Sequence, residues 1–224
     1  MKNTDKIQVL DDRQQSRNKL SIWFGSRDNY YHPIKEVIAN ATDELINNFD
    51  SGHIHIELKE DNQTILIQDT GRGIPVWEKT DGVPNYELLF TTLFAGTKYE
   101  ESTTTGTNGV GNTVINYTSE VFKCTSVYSG YKHEIFFKNG GELYHKNRSK
   151  SKEQHGTTIE FKLDPEVYTN TTFAADVVHS IVDEFATASS NKNISYTFKH
   201  KDKEYDIKYT DFKTCFESKV ANNT

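Results

Sequence analysis

Cysteine, proline and long apolar runs are scarce in this sequence of 224 residues, and each shortage excludes a class of protein. The two cysteines, Cys124 and Cys215, lie far apart and without metal-ligand spacing, so the sequence indicates reduced thiols and neither a disulfide framework nor a zinc site. With four prolines and no long Pro-, Gly- or Ser-rich tract, the chain shows no linker between domains. One globular domain is the simplest interpretation.

Signals for export and for membrane insertion are missing as well. Residues 1–17 are polar and charged, unlike an export signal, and no run approaches the roughly 20 apolar residues that a membrane span needs. We therefore expect a cytoplasmic protein that has no membrane partner.

The net charge has the wrong sign for a domain whose main task is to neutralise nucleic acid. Lys and Arg total 26 against 32 Asp and Glu, which gives a formal net charge of -6. Any DNA contact by this segment is therefore expected to be local or secondary. The 34% hydrophobic and 12% aromatic residues are nevertheless typical of a folded chain and not of a disordered one.

Hydrophobic periodicity predicts helices that alternate with hairpin-connected strands. Apolar residues recur at helical spacing over residues 30–49, where Pro33 fits the first turn, and again over residues 173–188. The expected apolar side of the second helix consists of Phe173, Val177, Ile181 and Phe185. Shorter helices are expected at 86–94 and 114–117, and strands at 53–58, 64–68, 121–128, 133–138, 142–146 and 157–163, with two more after 188. This pattern predicts an α+β fold, a two-layer sandwich.

Two stretches stand apart from this regular pattern. Residues 1–22 read as an N-terminal arm whose fold the sequence leaves open, before a single domain at residues 23–224. Residues 96–111 hold many Gly, Thr and Asn residues and almost no large apolar side chains, which predicts a loop.

Two short patterns are candidates for chemistry, although neither is specific alone. Four polar residues form one stripe on the first long helix, which an ordinary solvated face would also explain. The stripe consists of Glu36, Asn40, Asp43 and Asn47. The segment 68–75 (QDTGRGIP) follows a strand; its glycines would allow close approach to a ligand and Asp69 can accept hydrogen bonds, but a plain turn explains it equally well.

A third pattern is the segment 106–111 (GTNGVG), which precedes a predicted helix. Its backbone N–H groups and the helix start would suit an anion. A flexible glycine loop without a ligand is an equally simple interpretation.

Together and in this order, these segments resemble the nucleotide site of the GHKL ATPase superfamily. The matching segments are 36–40 (EVIAN) with Asp43 and Glu44, 69–75 (DTGRGIP), 106–111 (GTNGVG) and 156–158 (GTT). The resemblance runs from about residue 23 to residue 164, and the sequence AGTK at 95–98 is similar to type II DNA topoisomerases of the gyrase B and ParE kind. It implies a Bergerat-type fold, with helices on one face of a mixed, mostly antiparallel sheet. The implied function is to bind and hydrolyse ATP and so drive clamp closure for DNA strand passage.

The resemblance also implies roles for single residues. Glu36 would be the general base that activates the attacking water, and Asn40 would be the Mg²⁺ ligand. Asp69 would accept a hydrogen bond from the adenine amino group. The other expected ATP-binding positions are Gly73, Ile74, Pro75 and Thr157 at the adenine end and Lys98, Asn108, Gly109, Val110 and Gly111 around the phosphates. Glu44 and Arg72 fall where the family has an ion pair beside the pocket.

Beyond ATP and Mg²⁺, the resemblance implies the partners of a longer enzyme. These are DNA, a second copy that joins on ATP binding, and a DNA-cleavage subunit or domain similar to gyrase A or ParC. The transducer and DNA-cleavage parts are expected outside residues 1–224. The chain also departs from the family pattern, since Ala39 stands where an acidic residue is usual and residues 18–25 keep only an aromatic-Gly ending. These departures indicate a divergent member.

Two other interpretations stay open. Another GHKL ATPase, such as a MutL-like repair ATPase, a heat-shock chaperone or a defence ATPase, would share the Glu, Asn, Asp and Gly-rich pattern, although segments 71–75 and 95–98 favour the topoisomerase. A nucleotide-binding interaction module without useful turnover would bind ATP but would have no use for Glu36.

Overall fold

The computed structural model describes residues 9–95, 110–211 and 213–214 of the chain. The helices in these ranges are α1 (Asp12–Asn18), α2 (Leu20–Phe24), α3 (His32–Asn48), α4 (Asn85–Thr91), α5 (Gly111–Tyr117) and α6 (Ala175–Ala188). The strands are β1 (Ser51–Leu58), β2 (Thr64–Asp69), β3 (Lys79–Thr80), β4 (Val83–Pro84), β5 (Ser119–Tyr128), β6 (Tyr131–Lys138), β7 (Glu142–Lys150), β8 (Gly156–Leu163), β9 (Asn193–His200) and β10 (Lys203–Ile207). Every predicted helix and strand has a counterpart here. None of these helices is long and apolar enough to cross a bilayer.

Eight of the described strands form one mixed sheet, in the order β10-β9-β1-β2-β8-β5-β6-β7. β1 and β9 run parallel, whereas the other neighbours in this sheet pair antiparallel. β3 and β4 pair separately as a short antiparallel ribbon. The expected mixed, mostly antiparallel sheet is therefore confirmed.

One face of the large sheet is apolar because side chains alternate along each strand. The register aligns Ile56, Ile67, Ile159, Cys124 and Ile135 in one row across five strands, and all five are buried. Helices α3, α5 and α6 pack against the sheet and join this core. The two-layer α+β sandwich with helices on one face, predicted from the sequence and its resemblance, is confirmed.

The β1–β2 hairpin decides which way the end of β2 faces. Its turn places Asn62 at a φ of 54°, a conformation that Asn tolerates better than most residues. The Asp61 carboxylate accepts hydrogen bonds from the N–H groups of Gln63 and Thr64, each at 2.9 Å. These bonds fix the register in which Asp69, the last residue of β2, is turned inwards and buried.

The apolar face predicted for the last long helix is partly wrong. The buried residues of α6 are Val178, Ile181, Val182 and Ala186, whereas Val177 is 38% exposed. Phe173 is buried but precedes the helix, which begins at Ala175. The sequence contains two adjacent apolar stripes at helical spacing, and only packing against the sheet decides which of them turns inwards.

Residues 12–24, which include much of the segment 1–22 whose fold the sequence left open, form two short helices that are tied to the domain. Asp11 caps α1, since its carboxylate accepts from the Gln14 N–H at 2.7 Å and the Gln14 side chain accepts from the Asp11 N–H at 3.2 Å. Arg17 Nη1 donates to Asp164 Oδ2 at 2.8 Å. The division between an arm at 1–22 and a domain at 23–224 stays a prediction.

Two neighbouring valines of α6 provide a test of the packing. We expect Val178→Ala to lower the free energy of unfolding by about 2 kcal/mol, because it opens a cavity in the core. Val177→Ala, the matched control on the exposed stripe, should change it by less than about 0.5 kcal/mol. Urea unfolding followed by circular dichroism measures both values. Equal losses for the two variants would contradict the orientation of α6.

Candidate functional site

A cavity opens where β2 ends and β8 begins, between the sheet and the helical layer. Its walls come from α3, from the end of β2 and the turn that follows it, from β8 and from the first turn of α5. Each of the three motifs singled out in the sequence contributes at least one residue to this region. The site is therefore assembled from segments that lie far apart along the chain.

Helix α3 turns one face to the core and another to the cavity. Ile38 and Leu45 are buried, while Asn40 lines the cavity. Glu36, one turn earlier, lies beside the cavity with its carboxylate against Gly111: a Cβ atom on that glycine would meet Glu36 Oε1 at 2.1 Å. A larger residue at position 111 would therefore displace the Glu36 carboxylate from its present place.

The polar stripe of α3 is only partly a solvated face. Asn47 is exposed, but Glu36, Asn40 and Asp43 are half-buried. Burial raises the pKa of Glu36 above its ordinary value, and the negative charge of Asp43 raises it further. A carboxyl group whose pKa lies nearer to neutrality is better matched to accepting a proton from water.

Asp69 places a carboxylate in the wall of the cavity. The side chain is 7% exposed, and its Oδ1 atom accepts hydrogen bonds from the N–H groups of Gly71 at 2.8 Å and Thr157 at 3.3 Å. Burial raises the pKa of Asp69 to about 6; the two backbone hydrogen bonds oppose this shift and the charge of Glu44 adds to it. Within the described part of the chain, no hydrogen bond reaches Oδ2, which leaves this oxygen as an acceptor for a ligand.

The turn after β2 is held against the sheet by close backbone contacts. Gly73 has a φ of 79°, and a Cβ atom there would meet the Val127 carbonyl oxygen at 2.3 Å, so only glycine fits. Ile74 is fixed from both sides, because its N–H donates to Ser126 Oγ and its carbonyl oxygen accepts from the same hydroxyl, each at 2.8 Å. The plain-turn interpretation explains neither of these contacts.

The expected ion pair beside the pocket is confirmed. Arg72 Nε donates to Glu44 Oε1 at 2.8 Å and Arg72 Nη2 donates to Glu44 Oε2 at 2.8 Å, a bidentate arrangement. The backbone N–H of Arg72 also donates to Glu44 Oε1, at 3.1 Å. The pair joins the turn after β2 to helix α3 and so holds two walls of the cavity together.

The structure brings together most, but not all, of the residues that the resemblance singled out. Those that line the cavity are Asn40, Asp69, Gly73, Ile74 and Thr157. Glu36 and Gly111 lie beside it in mutual contact. Pro75 is not in the lining, and its carbonyl oxygen accepts from Asn85 Nδ2 at 3.0 Å; Val110 is buried in the core. Lys98, Asn108 and Gly109 lie outside the described residues.

Several lining residues were not anticipated from the sequence. They are Val37, Ala41, Ile67, Asn112 and Ile159. Four of these follow from periodicity: Val37 and Ala41 flank Asn40 on α3, while Ile67 and Ile159 lie two residues from Asp69 and Thr157 on the same face of the sheet. Asn112 gave no such signal, because the expected helix began later, at residue 114, whereas α5 begins at Gly111.

Comparison with known proteins identifies a family that covers this part of the chain. The sequence model of the family described as histidine kinase-, DNA gyrase B- and HSP90-like ATPase matches residues 25–167. This range holds every residue of the cavity named above.

Individual relatives carry the name of the B subunit of DNA topoisomerase 4. The protein of Enterococcus faecalis is 29% identical over 202 residues, which are 87% of this chain and 29% of the relative. The protein of Mycoplasma capricolum is 33% identical over 195 residues, 84% of this chain and 30% of the relative. The protein of Staphylococcus aureus is 32% identical over 201 residues, 85% of this chain and 30% of the relative. The chain thus spans about a third or less of the length of these relatives.

The buried carboxylate should lower the stability of the folded domain at neutral pH. Because the pKa of Asp69 in the folded state, about 6, lies above its ordinary value of 3.8, its ionisation destabilises the fold as pH rises from about 4 through 6. Asp69→Asn removes the charge and keeps an oxygen for the two backbone donors. We expect it to raise the free energy of unfolding at pH 8 by up to roughly 3 kcal/mol, at about 1.4 kcal/mol per pKa unit.

Urea unfolding at pH 8 and pH 5 measures this difference, which should shrink at the lower pH. Asp61→Asn is the matched control, and it should change the free energy of unfolding in the opposite direction. Partial burial tends to raise the pKa of Asp61, but hydrogen bonds from Gln63 and Thr64 outweigh it and lower the pKa. Asp61→Asn should therefore destabilise the domain at pH 8. If Asp69→Asn is also destabilising at pH 8, the buried charge is not the unfavourable group inferred here.

Proposed function

The chain belongs to the family of histidine kinase-, DNA gyrase B- and HSP90-like ATPases, and on that premise we propose that it binds ATP with Mg²⁺ and hydrolyses it as the ATPase domain of a type II DNA topoisomerase. One observation carries the ATPase part: α3, the end of β2 and the start of α5 converge at one cavity. They bring together a buried hydrogen-bond acceptor, an amide oxygen and a carboxyl group with a raised pKa. ATP hydrolysis needs such groups to recognise the base, hold the metal and activate water.

Asp69 would recognise the adenine base. Its Oδ1 atom is occupied by the backbone donors of Gly71 and Thr157, so Oδ2 can accept from the exocyclic amino group. Guanine carries a carbonyl oxygen at that position, which would place two acceptors against each other in a buried site. Ile67 and Ile159 provide apolar wall surface suited to a planar base.

Asn40 would supply the protein oxygen for the metal. Amide oxygens suit a hard cation, and Mg²⁺ usually keeps several waters and binds substrate phosphates in addition to one or two protein ligands. Across the described ranges there is no group of three or more His, Cys, Asp or Glu side chains that could hold a metal ion, while Asn40 lines the cavity. This donor set fits an ion that arrives with the nucleotide. When bound, Mg²⁺ would neutralise charge that develops on the phosphates.

Glu36 would accept the proton of the attacking water. The water oxygen bonds to the γ-phosphorus as the bond from this phosphorus to the β–γ bridging oxygen breaks, and the released proton passes to the Glu36 carboxylate. The burial that raises the pKa of Glu36 also brings its proton affinity closer to the working pH. The carboxylate lies against Gly111 at the edge of the cavity.

Substitution of the general base separates binding from turnover. We expect Glu36→Gln to keep the ATP affinity within about threefold and to lower the hydrolysis rate at least 100-fold, since general-base contributions are of order 10²–10⁴. Isothermal titration calorimetry measures the affinity and release of inorganic phosphate measures the rate. Glu184→Gln, which removes an exposed carboxylate that pairs with Lys35, is the matched control.

Unchanged hydrolysis in Glu36→Gln would remove the general-base role, whereas a wild-type chain that binds ATP without hydrolysing it would favour a nucleotide-binding interaction module. Absence of ATP binding by the wild-type chain in the presence of Mg²⁺ would overturn the ATPase proposal as a whole. Glu184→Gln should keep both affinity and rate, so a parallel loss in both variants would indicate a general effect of charge or folding.

The topoisomerase part of the proposal is supported by relatives that are about 30% identical. In the longer protein, ATP binding would join two copies and close a clamp that passes one DNA duplex through another. A DNA-cleaving partner similar to gyrase A or ParC would break and rejoin the DNA. The negative charge of this chain agrees with DNA contacts that lie mainly elsewhere.

The longer natural protein provides the test of this part. Combined with its DNA-cleaving partner, it should decatenate or change the supercoiling of closed circular DNA only when ATP is present. Gel electrophoresis of the DNA reads out the reaction, and Glu36→Gln should abolish repeated turnover. If the longer protein hydrolyses ATP but leaves DNA topology unchanged with every such partner, another GHKL ATPase function is the better interpretation.

A further inference from the structure

One wall of the cavity carries a polar atom that is buried without a partner. Asn112 lies in the first turn of α5 and lines the cavity. Its side-chain oxygen Oδ1 is buried and, as far as the chain is described, accepts no hydrogen bond. Buried polar atoms in proteins are nearly always paired. An unpaired hydrogen-bond acceptor in the wall of a binding cavity therefore indicates that the ligand supplies the donor.

The position of Asn112 along the cavity follows from two landmarks on α3. Gly111, its neighbour, packs against Glu36, whereas the Asp69 carboxylate lies beside Glu44, with the backbone of one glycine between them. Eight residues separate the two glutamates, which is about 12 Å along a helix axis. Asn112 therefore lies towards the end where hydrolysis is proposed, away from the carboxylate that would receive the adenine amino group.

The chemistry of ATP limits which donor can reach Asn112. The amino group and the two ribose hydroxyls are donors, whereas ionised phosphates only accept hydrogen bonds. The proposed function, on which this inference rests, assigns the amino group to Asp69. The ribose connects the base to the phosphates, so its hydroxyls are the donors of ATP that lie on the side of the base towards Glu36, where Asn112 lies.

We propose that Asn112 Oδ1 accepts a hydrogen bond from a ribose hydroxyl and that Asn112 is therefore a sugar-specificity residue of this nucleotide site. The contact satisfies an acceptor that is otherwise buried without a partner. Removing the hydroxyl from the nucleotide leaves this acceptor unpaired again in the complex. Discrimination against one deoxynucleotide follows, because an unmade hydrogen bond in a buried site disfavours binding.

The test compares three nucleotides on the wild-type chain and on Asn112→Leu, a variant of similar shape without the acceptor. With Mg²⁺ present, calorimetry on the wild type should show either 2′-deoxyATP or 3′-deoxyATP binding about tenfold more weakly than ATP, the size expected for one buried hydrogen bond. In Asn112→Leu, the dissociation constant of that deoxynucleotide divided by that of ATP should fall to about one. A ratio that stays near tenfold in this variant assigns the discrimination to another residue and overturns the proposal.

A second asparagine of α5 is the control. Asn116 also has an unpaired buried Oδ1 among the described residues, but its Nδ2 donates to the Phe90 carbonyl oxygen at 2.8 Å and it does not line the cavity. Asn116→Leu should lower the melting temperature and leave the ATP to deoxyATP ratio unchanged. A loss of discrimination in this variant equal to that in Asn112→Leu would overturn a specific role for Asn112.

The outcomes separate this inference from the proposed function. A wild-type chain that binds ATP and both deoxynucleotides equally well overturns the ribose contact alone, and a water molecule then satisfies Asn112. A wild-type chain that binds none of the three overturns the proposed function and this inference with it. The wild-type comparison needs no variant, so equal binding of the three nucleotides overturns the ribose contact even where a substituted chain fails to fold.

Discussion

The burial of the Asp69 carboxylate is the constraint on which the arrangement of the cavity depends. Strand alternation turns this residue towards the helical layer, where burial raises its pKa to about 6. A buried carboxylate is tolerated only when donors reach it, and here they are the N–H groups of Gly71 and Thr157. The turn after β2 must therefore fold back on itself, and β8 must lie next to β2. The glycines of the turn and the strand order both help to bring hydrogen-bond donors to the Asp69 carboxylate.

Helix α3 links that carboxylate to the rest of the site. Its apolar face is fixed in the core, for example through Ile38 and Leu45, and the Glu44–Arg72 pair ties its second half to the turn after β2. Asn40 and Glu36 cannot shift along the cavity without disrupting that packing. The distances between the groups that would bind the base, the metal and the water are thus set by the core before any ligand enters. Such preorganisation is what electrostatic catalysis requires.

The sequence predicted the fold and the segments that form the cavity, although not all of its lining residues. The apolar residues at helical spacing around Ile38 predict a helix, and the alternating side chains around Ile67 predict a strand. Each of these local patterns has a single structural interpretation. The motif around Asp69 was ambiguous alone, because turn chemistry and ligand chemistry use the same residues. Its combination with the other segments removed the ambiguity. Val177 was misplaced since two apolar stripes compete on α6, and the sheet, not the helix, selects between them.

Two polar groups in the cavity wall, one predicted from the sequence and one missed, are unfavourable to bury unless hydrogen-bond donors reach them. Asn112 buries an oxygen without a partner among the described residues, and Asp69 buries a charge. Local rules of propensity and patterning assume that polar groups are solvated or paired, so they do not anticipate a position such as Asn112. A ligand that supplies the missing donors stabilises the folded state through its own binding free energy. This binding free energy can offset the cost of burying polar groups at a site where an apolar core would be more stable.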